Sequence, residues 1–141
     1  MVEFSQDSNL GLASINKSLV NFEPKRVFSW HLSIMLHLSQ SDQDGLPLSS
    51  DNKLINQFED KIDGFLKGND PAKPNGLFLA RIAWNSTVEL IWRVYQPELI
   101  DSELKNILKK KKYPAPFDYQ ISKDEDWGHA EWHLEVASNA E

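Results

Sequence analysis

Residues 28–39 alternate without interruption: Phe28, Trp30, Leu32, Ile34, Leu36 and Leu38 are interleaved with Ser29, His31, Ser33, Met35, His37 and Ser39. A period of two belongs to a β-strand with one buried face and one more polar face, and it excludes a helix over the same residues. The apolar face needs a covering layer. The rest of the sequence supplies it.

The run Ser41-Asp-Gln-Asp-Gly-Leu-Pro47 reads as a turn, and Ser49 and Ser50 offer an N-cap to a helix beginning near Asp51. Leu54, Ile55, Phe58, Ile62, Phe65 and Leu66 fall on one helical face, and Gly68, Pro71 and Pro74 end the helix. Alternation returns over residues 76–95. Phe78, Ala80, Ile82 and Trp84 form one apolar set, and Val88, Leu90, Trp92 and Val94 form the next. A two-residue Asn85-Ser86 turn pairs odd positions with even ones and sends the two sets to opposite faces, so a three-residue loop with a bulge is expected. Pro97 suits the first turn of a second helix, with Glu98 and Asp101 complementing its dipole. Leu99, Ile100, Leu104, Ile107 and Leu108 make its buried stripe, and the lysine run 109–112 closes it. Phe117, Tyr119 and Ile121 alternate as a last strand.

In order, these elements are β-α-β-β-α-β, which predicts an α+β, ferredoxin-like sandwich: an antiparallel sheet with two helices on one face. An extra N-terminal strand over residues 11–16 and a C-terminal extension complete it. The 141 residues make one domain, 11–127, between a polar, flexible N-terminus (1–10) and an acidic extension (128–141). With both helices on one side, the other sheet face is left open. It would carry Ser29, His31, Ser33, Met35, His37, Arg81, Glu89, Ile91, Arg93, Tyr95, Asp118 and Gln120.

Charge is unevenly placed. The net charge is −6, from 21 acidic and 15 basic residues, and Asp124, Glu125, Asp126, Glu131, Glu135 and Glu141 all follow the last base, Lys123. Residues 1–123 are therefore neutral overall and the tail carries the excess, which argues against general affinity for phosphate backbones. There is no cysteine, so disulfides, thiolate metal sites and a cysteine nucleophile are excluded. No signal peptide or membrane span is legible, and a cytoplasmic protein is expected.

No glycine-rich phosphate loop, nucleophile elbow or zincin motif is present, and no cofactor is implied. Two weaker metal patterns occur in the tail. On a helix, His129 and His133 would lie one turn apart and share an ion; Asp124 and Asp126 could hold magnesium. The bland readings are a solvated aromatic tail and a solvated turn. His31 and His37 share a strand face but lie about 20 Å apart, too far to grip one ion. The lysine run, with Arg81 and Arg93, is a weak RNA-binding pattern whose simpler explanation is complementation of the helix dipole. Met35, Ile91 and Tyr95 on the open face, with Trp127 and Trp132 in the tail, are the candidate interaction residues. Either a partner or the tail itself could cover that face.

Several segments together carry a resemblance: Asp44-Gly-Leu-Pro47, Asn52-Lys-Leu-Ile-Asn-Gln-Phe-Glu-Asp60, Phe78-Leu-Ala-Arg-Ile82, Tyr95-Gln-Pro-Glu98 and Asp124-Glu-Asp-Trp127. In order and spacing the chain resembles the domain of unknown function 695 (DUF695) family of bacterial proteins. That family is distantly similar to type B regulators of ribonuclease E activity, small acidic sandwiches that act by binding a protein. The resemblance brings no catalytic residue and implies an adaptor or inhibitor rather than an enzyme. The expected function is thus a protein–protein interaction module whose partner is another protein or a second copy. A small-molecule or divalent-metal activity at the tail is the alternative, with RNA binding a weaker one.

Overall fold

The computed structural model describes residues 2–22 and 24–139. The sheet has six antiparallel strands: β1 (Val2–Gln6), β2 (Asn9–Ile15), β3 (Trp30–His37), β4 (Gly76–Trp84), β5 (Thr87–Val94) and β6 (Phe117–Lys123). They lie in the order β1-β2-β4-β5-β3-β6. Three helices accompany them, α1 (Ser49–Lys67), α2 (Glu98–Lys110) and α3 (Glu131–Asn139), so the class is α+β. The strand order departs from that of a four-stranded sandwich, because a hairpin rather than one extra strand precedes β3. Among the described residues, no helix is long and apolar enough to cross a membrane.

The alternation in β3 is realised. Leu32, Ile34 and Leu36 point to one face and are fully buried with Val88, Leu90, Trp92 and Val94 of β5. The stripes of α1 (Ile55, Phe58, Ile62, Leu66) and α2 (Ile100, Leu104, Ile107) cover that face. Helix α1 starts at Ser49, earlier than expected, with Leu48 at the cap position and no side-chain cap. Helix α2 ends on Lys111 in the left-handed region, where the N–H of Lys112 bonds to the carbonyl of Ile107. That is the Schellman geometry.

Three expectations are corrected. Residues 2–6 are a strand and not a frayed terminus: Asp7 and Ser8 have φ of 52° and 66°, the geometry of a tight hairpin turn, and β1 pairs with β2 along its length. Phe4 pairs with Gly11, and its ring lies where a side chain on residue 11 would stand, so glycine there lets the ring lie flat over β2. Second, the β4–β5 turn has two residues, Asn85 and Ser86, with φ of 48° and 63°. The bulge exists but sits inside β4: Phe78 pairs with Trp92 while Ala80 pairs with Ile91, leaving Leu79 extra. Strand β4 therefore changes parity midway. Phe78, Arg81 and Ala83 face the helices, whereas Ala80, Ile82 and Trp84 face the other side. Arg81 thus leaves the open face on which alternation alone put it.

Third, the tail is packed rather than solvated and covers half of the open face, one of the two coverings the sequence allowed. Residues 128–139 form a 3₁₀ turn (Gly128–Ala130) and α3, and Trp127, Ala130 and Leu134 pack with Leu19, Phe28, Leu79, Ala80 and Ile91 into a second core. Two apolar layers enclose the sheet.

Candidate functional site

The tail is fastened by one residue of the polar face. Arg93 on β5 has a side chain with no solvent exposure, and its guanidinium donates to the carbonyl of Phe28, to Nδ1 of His31 at 3.0 Å, to Oδ2 of Asp124 at 2.9 Å and to the Asp124 carbonyl. It also lies 4.7 Å from the centre of the Trp127 ring. Asp124 in turn accepts the N–H groups of Gly128 and His129, each at 2.9 Å, capping the turn that leads into α3. The Trp127 indole donates to the carbonyls of Lys25 and Phe28. A buried charge is tolerable only with this degree of pairing.

The same environment fixes protonation. Burial opposes ionisation of Asp124, but the N–H groups of His129 and Gly128 and the Arg93 guanidinium together hold its pKa below the usual carboxylate value. Burial, followed by the charge of Arg93, lowers His31 to about 4. Burial also lowers His133. His31 is therefore neutral at pH 7 and accepts from Arg93 through Nδ1. An unfolded chain protonates His31 near pH 6.5, so its contribution to stability is complete above that pH and is lost as pH falls toward 4. The expected loss is on the order of 2 kcal/mol between pH 7.5 and pH 5. Urea midpoints at the two pH values test this, and a flat profile that His31→Gln leaves unchanged would refute it.

The residues singled out from sequence separate into distinct places. Trp127 and Ile91 are buried in the second core and are not on an accessible surface. Tyr95 is half exposed beyond the end of β5. Asp126 is exposed and lies 3.6 Å from Arg26, while Asp124 is committed to Arg93. The ring of His129 lies 5.2 Å from that of His31, and His133 is buried with no hydrogen bond to Nδ1. Among the described residues, no group of three acidic or histidine side chains is arranged to hold a metal ion. Of the basic residues in the RNA pattern, Lys109, Lys110, Lys111 and Lys112 are exposed, whereas Arg93 is interior and Arg81 is held under α1 by Asn52 and Asn56.

Met35 and Trp132 do come together. They line a pocket of about 350 Å³ on the half of the second face that α3 leaves uncovered, with Phe4, Ile82, Trp84, Thr87, Glu89 and His133. Phe4 and Trp132 meet edge to face, 5.6 Å between ring centres, and the Trp84 indole donates to the carbonyl of Gln6. Glu89 is part-buried at the floor. Ser33 donates to its Oε2 at 2.5 Å, and among the described residues no cation pairs with it. Phe4 was missed in the sequence because β1 was read as frayed. Glu89 was placed on this face but carried no distinguishing signal, since an acid opposite Met35 looks like any solvated strand residue.

In comparison with known proteins, residues 4–131 match the model of a family described as a family of unknown function (DUF695). No curated protein and no solved structure matches.

Proposed function

The chain belongs to the DUF695 family, and from the geometry of its own surface we propose that it is a cytoplasmic protein-binding module, an adaptor or inhibitor rather than an enzyme, that captures a lysine or arginine side chain of a partner protein. The observation that carries this reading is Glu89: a part-buried carboxylate without a cationic partner among the described residues, at the floor of a pocket walled by Phe4, Trp84 and Trp132. Aromatic walls attract a cation through the ring quadrupole, by about 0.5–2 kcal/mol per contact, and accept the aliphatic stem of lysine or arginine. A carboxylate beneath them completes a charge-assisted pair. Met35 adds an adaptable apolar contact. None of the residues lining the pocket is basic apart from the buried His133. The two helices on one face of the sheet and the helix-linked strands also support reading the frame as an elaborated ferredoxin-like sandwich.

The test is a titration of the full chain with short peptides bearing a central lysine or arginine against matched norleucine and glutamine peptides. The basic peptides are expected to bind at least about tenfold more tightly, with Glu89→Gln abolishing the difference and Trp132→Ala weakening both. Equal affinity for the norleucine peptides, or unchanged discrimination in Glu89→Gln, would defeat the proposal.

A further inference from the structure

A second concavity lies on the opposite side of the sheet, at the edge that α1 does not fully cover. It encloses about 540 Å³ between the first half of α1, strands β2 and β4, and the 42–47 loop. The β4–β5 hairpin builds it: the two-residue turn at Asn85 and Ser86 sets Arg81 opposite Leu90 on the helix face, and the bulge at Leu79 returns Phe78 to that same face. The Arg81 guanidinium donates there to the side-chain oxygens of Asn56 and, at 2.9 Å, Asn52. Glu59 completes the group, and the three α1 residues follow the spacing that places side chains on one helix face.

This cluster is incomplete as it stands. Oε1 of Glu59 is 3.6 Å from the nearest Arg81 nitrogen, beyond hydrogen-bond length, and it is buried without a hydrogen-bond partner. Both asparagines turn their oxygens to Arg81, which leaves their N–H₂ groups as donors with no other bond among the described residues. Arg81 retains N–H groups beyond those two bonds. Oε1 is closed off behind Arg81, so what the cleft presents is the outer edge of the Glu59 carboxylate flanked by several donors. Its formal charges, Arg81 against Glu59 and Asp42, oppose a simple anion through the carboxylates and a simple cation through the guanidinium.

The geometry points to a binding site for a neutral polyhydroxylated ligand of sugar size. A hydroxyl both donates and accepts, so one at the mouth of the cluster can donate to the outer Glu59 oxygen while a neighbouring hydroxyl accepts from Arg81 or an asparagine amide. Leu46, Pro47 and Phe78 supply apolar surface for the C–H faces of a ring, and the volume lies in the range of small-molecule pockets.

The experiment is a heteronuclear NMR titration of the full chain with glucose, ribose and maltose, and with glycine and inorganic phosphate as zwitterionic and anionic comparisons. At least one sugar is expected to shift residues 42–47 and 52–59 in a saturable manner. Glu59→Gln and Asn52→Ala are each expected to weaken that binding about tenfold or more, with urea unfolding confirming that both variants are folded. No saturable shift in this cleft with any sugar at tens of millimolar, tighter binding of glycine or phosphate, or sugar binding unaltered in both folded variants would overturn the inference.

Discussion

Replacing Asp124 by alanine is expected to destabilise the protein by about 3–5 kcal/mol, the range observed when one member of a buried ion pair is removed. The cost arises from Arg93 more than from Asp124. The guanidinium is too basic to shed its charge after losing its only carboxylate, and with no solvent exposure it cannot recover hydration without opening the second core. A loss of that size is a large share of the roughly 5–15 kcal/mol that holds a domain together. Urea unfolding measures it through the midpoint. The double variant Arg93→Met, Asp124→Leu is expected to be more stable than Asp124→Ala alone, because it removes both charges and leaves apolar volume behind. A single-variant loss below about 1 kcal/mol would place the pair among exposed bridges and refute the description of a buried node.

The second large effect belongs to Trp127. Truncation to alanine is expected to cost about 3–5 kcal/mol, the usual penalty for emptying an aromatic core position. The indole is 1% exposed, packs beside Phe22, covers Arg93 and donates to the Lys25 and Phe28 carbonyls. Trp127→Phe is expected to recover much of the packing but not the hydrogen bonds. The two substitutions, Trp127→Ala and Asp124→Ala, should be sub-additive in the double variant, since either one already frees the same segment. Full additivity would mean that tail and node are independent. Loss of α3 from the sheet also removes Trp132 and His133 from the pocket, so Trp127→Ala is expected to weaken capture of basic peptides at temperatures where the rest of the fold survives.

Much of the fold is written locally. The alternation in β3 and the stripes of α1 and α2 are properties of period, and period survives any tertiary context that needs one buried face. The features that were not legible depend on partners far along the chain. Nothing in Leu77-Phe-Leu-Ala80 marks where the bulge falls, because all four residues are apolar and suit either face. Parity is decided by Asn85 and Ser86 closing a two-residue turn at positive φ, which forces the reversal upstream. Strand β1 looks polar by itself and is held by pairing with β2 and by Phe4 against Trp132. The tail reads as acidic and solvated because the group that draws it in, Arg93, lies 31 residues earlier. The charge asymmetry also changes meaning: Asp124, Glu125 and Asp126 are met by Arg93, Lys123 and Arg26.

The two-residue turn between β4 and β5 links the two proposed sites. By setting Arg81 opposite Leu90 it separates opposite charges that a register one residue away would have paired. One charge then sits beneath α1 and the other sits among the aromatic rings.

The contact between Phe4 and Trp132 bears on when the protein becomes competent. Its two rings are contributed from positions separated by most of the sequence. A ribosome elongates at about 5–20 residues per second and releases N-terminal segments first. The β1–β2 hairpin would therefore emerge early, while its aromatic partner was still inside the exit tunnel. The proposed cage for a cationic side chain cannot be assembled until Trp132 has left the exit tunnel, and a partner could engage it only after that point.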